Sequence, residues 1–210
     1  MPTKDEVLKV LADENVIVAC LAEGTLEQEL ISFLLDHSIN NQPVLIFRRK
    51  NLLEGEVIRT RSAKNFDSNY LGKQFDKKIV ILRILDSRKE SFKINDISKG
   101  NRSKLFRIDD KPIVITAKTH PEIEILLVHS LGKYDDYCRY AQKHSGKQKN
   151  PSHYVKSKLG LSNCKDSGFC QDFFKDPAVA VEAIRLYHRK AQREDDEFDL
   201  FDLLNPEIKK

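Results

Sequence analysis

The stretch VIVACLAEGTLEQELISFLLDHS, residues 16 to 38, decides the fold class. Its opening VIVACLA is a near-continuous apolar run, the pattern of a strand buried on both faces in a parallel sheet. Gly24 and Thr25 then punctuate the chain, with Gly24 expected to allow a tight turn. From there Leu26, Leu30, Ile31, Phe33 and Leu34 recur at helical spacing, while Glu27 and Glu29 occupy the first turn, where the helix macrodipole favours acids. The stretch therefore reads as strand, turn, helix. Glu23, at the junction, is either a helix cap or a strand-end ligand.

Working outward, residues 3 to 12 form a short helix, and three more apolar runs follow: PVLIFRR (43–49), KKIVILRILDS (77–87) and KPIVITAKT (111–119). Strands alternating with helices predict an α/β protein with a mainly parallel sheet flanked by helices, and such sheets bind ligands beyond the carboxyl ends of their strands. Residues 50–76 and 89–110 are too polar and weakly periodic for their elements to be placed. After Pro121 the pattern turns helical in PEIEILLVHSLGKYDDYCRYAQKH and DPAVAVEAIRLYHRKAQ, with a shorter helix between them that takes Asn150 as N-cap and Pro151 at its first position. Asp176-Pro177 opens the last helix in the same way. The expected organisation is an α/β core over 1–119, a C-terminal helical part over 120–193 packed on or capping it, and an acidic-hydrophobic tail over 194–210.

Composition narrows the function classes. Hydrophobic residues make up 40% and charged residues 32% of the 210, and no apolar run approaches the roughly 18 residues of a membrane span. The start lacks the pattern of a signal peptide, so a soluble, cytoplasmic protein with no membrane partner is expected. Cys20, Cys138, Cys164 and Cys170 lack the short paired spacing of zinc sites and read as free thiols. The net charge of +4 is unevenly spread: residues 143–158, KHSGKQKNPSHYVKSK, carry five lysines and two histidines and no carboxylate. Such a segment meets phosphate or is a solvated loop. EDDEFDLFDLL, residues 194–204, is the reverse, and suits folding onto a partner, onto its own domain, or over the basic helix.

Two acids stand where the chain leaves apolar strands, Glu23 and Asp86. Neighbouring parallel strands would bring both to one edge, where a hard cation such as Mg²⁺ takes carboxylate, water and phosphate oxygens. The alternative is a turn at Asp86 and a cap at Glu23.

The acid-glycine pair after the first strand, the second acid at Glu27 and the later strand-end Asp86 resemble the Toprim domain of topoisomerases, primases and nucleases, including the OLD-type nucleases. The order of THPEIEILLVHS, KNPSHYVKSKLG and DPAVAVEAIRLYHRKAQ is similar to that in RloB-like proteins, with Pro121, Glu124, Tyr154 and Lys156 matching the motifs and His129 near that family's histidine without aligning to it. The resemblance spans roughly residues 15–192 through short motifs. It implies a Toprim-like sheet and a nuclease of a bacterial restriction or anti-phage defence system acting on DNA or RNA with Mg²⁺ (or Mn²⁺) and an ATPase partner.

Under that resemblance Glu23, Asp86 and Glu124 are the catalytic candidates and Glu23, Asp86 and Glu27 the metal ligands. Arg88, Lys149, Tyr154, Lys156 and Lys158 are the nucleic-acid contacts, Lys156 holding phosphate and Tyr154 stacking on a base. One position departs from the family: its Asp-x-Asp reads Asp86-Ser87-Arg88, placing a guanidinium where a second acid is expected. Glu90 follows two residues later. The competing reading keeps the fold and makes the protein a non-catalytic nucleic-acid-binding or adaptor subunit with a degenerate metal site. Both readings admit a homo- or hetero-oligomer.

Overall fold

The computed structural model describes residues 3–86, 92–191 and 197–209. Helix α1 (Lys4–Ala12) leads into strand β1 (Val16–Ala22) and helix α2 (Thr25–Asp36). A two-residue hairpin, β2 (Ser38–Ile39) with β3 (Gln42–Pro43), precedes β4 (Ile58–Arg59), α3 (Ala63–Tyr70) and β5 (Lys78–Leu85). Then come α4 (Lys99–Arg102), a second hairpin of β6 (Arg107–Ile108) and β7 (Lys111–Pro112), and β8 (Val114–Lys118). The helical part is α5 (Ile125–Ser130), α6 (Tyr134–Gln142), α7 (Pro151–Ser157), α8 (Phe169–Phe174), α9 (Pro177–Lys190) and α10 (Pro206–Lys209).

Four strands, in the order β4-β1-β5-β8, form one parallel sheet, so the α/β class with helices on a parallel sheet is as the sequence predicts. β1 and β5 are central, and their apolar runs are buried on both faces. Along β1 the residues Val16, Val18, Cys20 and Ala22 pack with α1, α2, α5 and α9. The alternate residues Ala19 and Leu21 pack with α3 and with Phe92, Ile97 and Leu105.

That alternation fixes the direction in which the chain leaves each central strand. β1 is followed by α2, whose Leu26, Leu30 and Leu34 pack on the first face. β5 is followed by the segment holding Phe92 and Ile97, which packs on the second. Leaving to opposite faces opens a crevice between the carboxyl ends of β1 and β5, the place where open α/β sheets take ligands.

Several expectations change. PVLIFRR is no strand of the sheet; Val44, Leu45 and Phe47 are buried, but Leu45 makes only an isolated antiparallel bridge to Leu204. Its apolar character comes from packing under the C-terminal segment. The helix expected from residue 121 breaks into α5 and α6 at Gly132, whose φ of 64° suits a glycine. The tail takes one of its expected placements and folds onto its own domain: Leu200, Leu203, Leu204 and Ile208 belong to the main core, and Phe198 bridges parallel to Ala117 at the β8 edge. Lys118 N donates to Phe198 O at 2.9 Å, Ile46 N to Leu203 O at 3.0 Å and Asn205 N to Val44 O at 2.9 Å. The acids Glu194, Asp195 and Asp196 lie outside the described residues. Among the described residues, no helix is long and apolar enough to cross a membrane.

Candidate functional site

Glu23 follows β1 directly, and its backbone N–H donates to Ile84 O at 3.1 Å, extending the ladder by one residue past the strand end. Asp86 follows β5, beside Thr119, whose N–H donates to Leu85 O at 2.9 Å. The parallel register therefore brings Glu23, Asp86 and Thr119 to one edge. Glu23 does not cap α2, because the N-cap position is held by Gly24, with no side-chain cap bond.

Gly24 does something other than permit a left-handed turn. Its φ of −131° is extended backbone open to any residue. A Cβ there would lie 2.7 Å from Glu27 Oε2. The glycine is the space into which the Glu27 carboxylate folds, which returns Glu27 from the helix to the crevice.

Glu124 stands at the N-cap position of α5, not on the apolar helix face its neighbours suggest. It is 1% exposed. Four carboxylates thus converge, and their mutual influence marks it. Burial first, then its neighbours Asp86, Glu124 and Glu23, push the Glu27 carboxyl up to about 7. Burial, the Glu23 charge, a hydrogen bond shared with Glu23, and then Glu124 and Glu122 push Asp86 up to about 6. A buried carboxylate pays for desolvation unless a cation or donors compensate it.

Among the described residues, two cations supply part of that compensation. Arg61 Nη2 lies 3.1 Å from Glu23 Oε1, and Arg61 Nε donates to Glu23 O at 3.3 Å. Lys165 Nζ lies 3.1 Å from Glu124 Oε1. Burial works against the Lys165 ammonium, but Glu124 and Glu27 outweigh it and raise its pKa. Among the described residues, compensation is incomplete: Glu23 Oε2, Glu124 Oε1 and Thr119 Oγ1 are buried without a hydrogen-bond partner there. Lys165 makes an ion-pair contact with Glu124 without the alignment of a hydrogen bond.

The predicted nucleic-acid residues divide. Lys149, Lys156 and Lys158 are exposed. Lys156 also acts electrostatically on the buried Cys164, as do Glu124 and Lys165, so the basic helix α7 flanks the carboxylate crevice. Tyr154 is corrected: it is buried, its ring edge-on to Tyr137 at 5.5 Å and tilted against Tyr140 at 5.1 Å. A ring committed to the core is not offered to a base. Arg88 and Glu90 lie outside the described residues.

Glu122 holds α7 in place. Its Oε1 accepts from Asn150 Nδ2 at 2.8 Å and its Oε2 from Ser152 N at 3.0 Å. Asn150 is the N-cap by position, yet its side chain serves Glu122 and makes no cap bond of its own. His120 is engaged by the tail, with Nε2 2.9 Å from Glu197 Oε1. His129 faces a cavity of about 70 Å³ lined also by Tyr134, Tyr187 and Lys190. Burial first, and then the Lys190 charge, lower its pKa to about 4, so it is neutral at physiological pH. All four cysteines are free thiols.

Sequence reasoning missed Arg61, Thr119 and Lys165. Arg61 follows a strand only two residues long, too short to leave a periodic signal, and Lys165 sits in a loop between α7 and α8. As arranged, the described residues contain no ready-made group of three His, Cys, Asp or Glu side chains able to hold a metal ion. The donor set itself, carboxylate oxygens with two of them buried and without a hydrogen bond among the described residues, suits a hard divalent cation. Comparison of the chain with protein-family models, with curated proteins and with solved structures gives no match.

Proposed function

We propose that the crevice is a divalent-cation site for cleavage of nucleic-acid phosphodiesters, in keeping with the resemblance to Toprim-fold, RloB-like nucleases. One observation carries this reading: Glu23, Asp86, Glu27 and Glu124 converge beyond the carboxyl ends of β1 and β5, with Glu23 Oε2 buried and without a hydrogen-bond partner among the described residues. Carboxylates are gathered at such cost where a cation is to be held. Glu23, Asp86 and Glu27 would hold Mg²⁺ or Mn²⁺. A bound ion of this kind supplies charge stabilisation at a phosphoryl oxygen and lowers the pKa of water.

The chain's own residues supply the rest. Glu27, with its carboxyl pushed up to about 7, can accept or return a proton near neutral pH. The exposed Lys149, Lys156 and Lys158 on and before α7 suit the phosphate backbone of DNA or RNA. The resemblance adds a defence context and an ATPase partner.

The test is a Mg²⁺ and Mn²⁺ titration followed by thermal unfolding. The wild type is expected to be stabilised, and Glu23→Gln and Asp86→Asn are expected to abolish the shift. Incubation with plasmid and with tRNA then reads the chemistry. The second reading, a binding or adaptor subunit, is favoured by the pairing of Glu23 with Arg61 and Glu124 with Lys165, which partly neutralises the crevice without metal. An unshifted wild type that still binds nucleic acid would select it.

A further inference from the structure

Two ion pairs guard the crevice in the same manner. Glu23, its side chain 9% exposed, faces Arg61, 63% exposed; Glu124, 1% exposed, faces Lys165, 52% exposed. In each pair a buried anion meets a cation whose side chain is more than half exposed. A pair of that kind is cheap to open from the cation's side, since the long side chain regains hydration and rotamer freedom. It is costly to the carboxylate unless another cation replaces the one that leaves.

Each carboxylate keeps one oxygen without a hydrogen bond among the described residues. Glu124 Oε1 is in ion-pair contact with Lys165, and Glu23 Oε2 meets no hydrogen-bond donor among the described residues. Both cations are nevertheless anchored at the crevice mouth. Arg61 Nε donates to the Glu23 carbonyl, a contact independent of the carboxylate. The Lys165 loop is pinned by the buried Cys164 and by Gly168 N, which donates to Glu29 Oε2 on α2 at 2.8 Å. Released from the carboxylates, the two charges stay beside the site.

We propose that Arg61 and Lys165 are exchangeable counter-ions: they hold Glu23 and Glu124 until a divalent cation binds, then turn to the phosphate of the nucleic acid. This rests on the reading of the crevice as a divalent-cation site. Arg61 is suited to the second role by its forked donors, with Nε retained on the backbone while the outer nitrogens meet phosphate oxygens. Lys165 offers a point charge with rotatable donors. Arg61 and Lys165 are positioning residues that couple metal arrival to substrate engagement, a coupling that works in both directions.

The test uses the full chain, Mn²⁺ and a short oligonucleotide, with Lys165→Met, Arg61→Gln and the charge-retaining Lys165→Arg. Removing a counter-ion removes a competitor for the carboxylates and a ligand for the phosphate. Lys165→Met and Arg61→Gln are therefore each expected to bind Mn²⁺ more tightly, roughly fivefold or more, yet to bind the oligonucleotide in saturating Mn²⁺ more weakly by a similar factor. Lys165→Arg is expected to stay near the wild type in both.

A salt bridge with only a structural role would lower stability and move neither affinity in these opposite directions. If the wild type binds Mn²⁺ and both neutral variants bind it equally well or less well, the exchange is wrong while the metal site stands. If the wild type binds no Mn²⁺ or Mg²⁺, the reading of the crevice fails and takes the exchange with it. The two neutral variants lie on opposite flanks, so a folding defect in one leaves the other to decide.

Discussion

Glu27 Oε2 lies so close to Gly24 that a Cβ on the glycine would stand 2.7 Å from it, which makes the glycine part of the crevice. Gly24→Ala is expected to leave the backbone unstrained, since φ is −131°, and to cost about 1 kcal/mol or less in stability, because the displaced group is the end of a flexible side chain. The Glu27 carboxylate, however, must swing away. Thermal unfolding with and without Mn²⁺ should show a nearly unchanged melting temperature for the free protein and a reduced shift with the ion.

The pH dependence follows from Glu27 and Asp86, whose folded-state pKa values are raised to about 7 and about 6. The groups around them among the described residues are Glu23, Glu124 and Glu122 among the acids, with Lys165 and the Arg61 paired to Glu23 as cations. A raised carboxyl pKa means that the folded state binds more protons than the unfolded one, so this contribution is fully present below the unfolded pKa and is lost as pH rises through the folded value. With chelator present, stability should fall between about pH 5 and about 8 through these groups. Glu27→Gln should flatten that profile and stabilise the metal-free protein at about pH 8, by on the order of 3 kcal/mol at most. A Glu27→Gln profile as steep as that of the wild type would reject the assignment.

Tyr154 and Lys156, two residues apart on α7, should separate cleanly. Tyr154→Ala removes a ring packed between Tyr137 and Tyr140 and is expected to cost about 3 kcal/mol or more, lowering the denaturation midpoint. Lys156→Ala, on the exposed side, should change stability by no more than about 0.5 kcal/mol while weakening oligonucleotide binding and reducing its salt dependence.

Removal of residues 197–209 should unfold or strongly destabilise the protein, because it strips Leu200, Leu203, Leu204 and Ile208 from the core and frees the β8 edge. The milder Leu203→Ala is expected to cost about 2–5 kcal/mol, measurable in urea. A truncated chain with an unchanged midpoint and tighter nucleic-acid binding would restore the idea of a detachable acidic shield.

The VIVACLA run, the helical spacing from Leu26 to Leu34 and the strand-end acids Glu23 and Asp86 are local patterns, and each is found in the element the sequence predicts. Asp176 likewise caps α9, accepting from Ala178 N at 2.8 Å. Apolar run length and helical period are properties of neighbouring residues, which is why one chain suffices to read them. The burial of PVLIFRR was also legible, but its partner was not. Whether an apolar run pairs in a sheet or packs beneath residues 200–208 depends on a segment more than 150 residues away.

The electrostatics of the crevice belonged wholly to the tertiary structure. Glu23 meets Arg61 because β4 lies beside β1, and Glu124 meets Lys165 because a loop between α7 and α8 is tied to α2. Tyr154 turned inward because α7 packs its aromatic face on α6. The sequence by itself determined the strand-turn-helix unit and the acids at its end, since these follow from steric and apolar preferences within a few residues. Only the tertiary structure decided which charges those acids face, because Coulombic partners are set by distance in space.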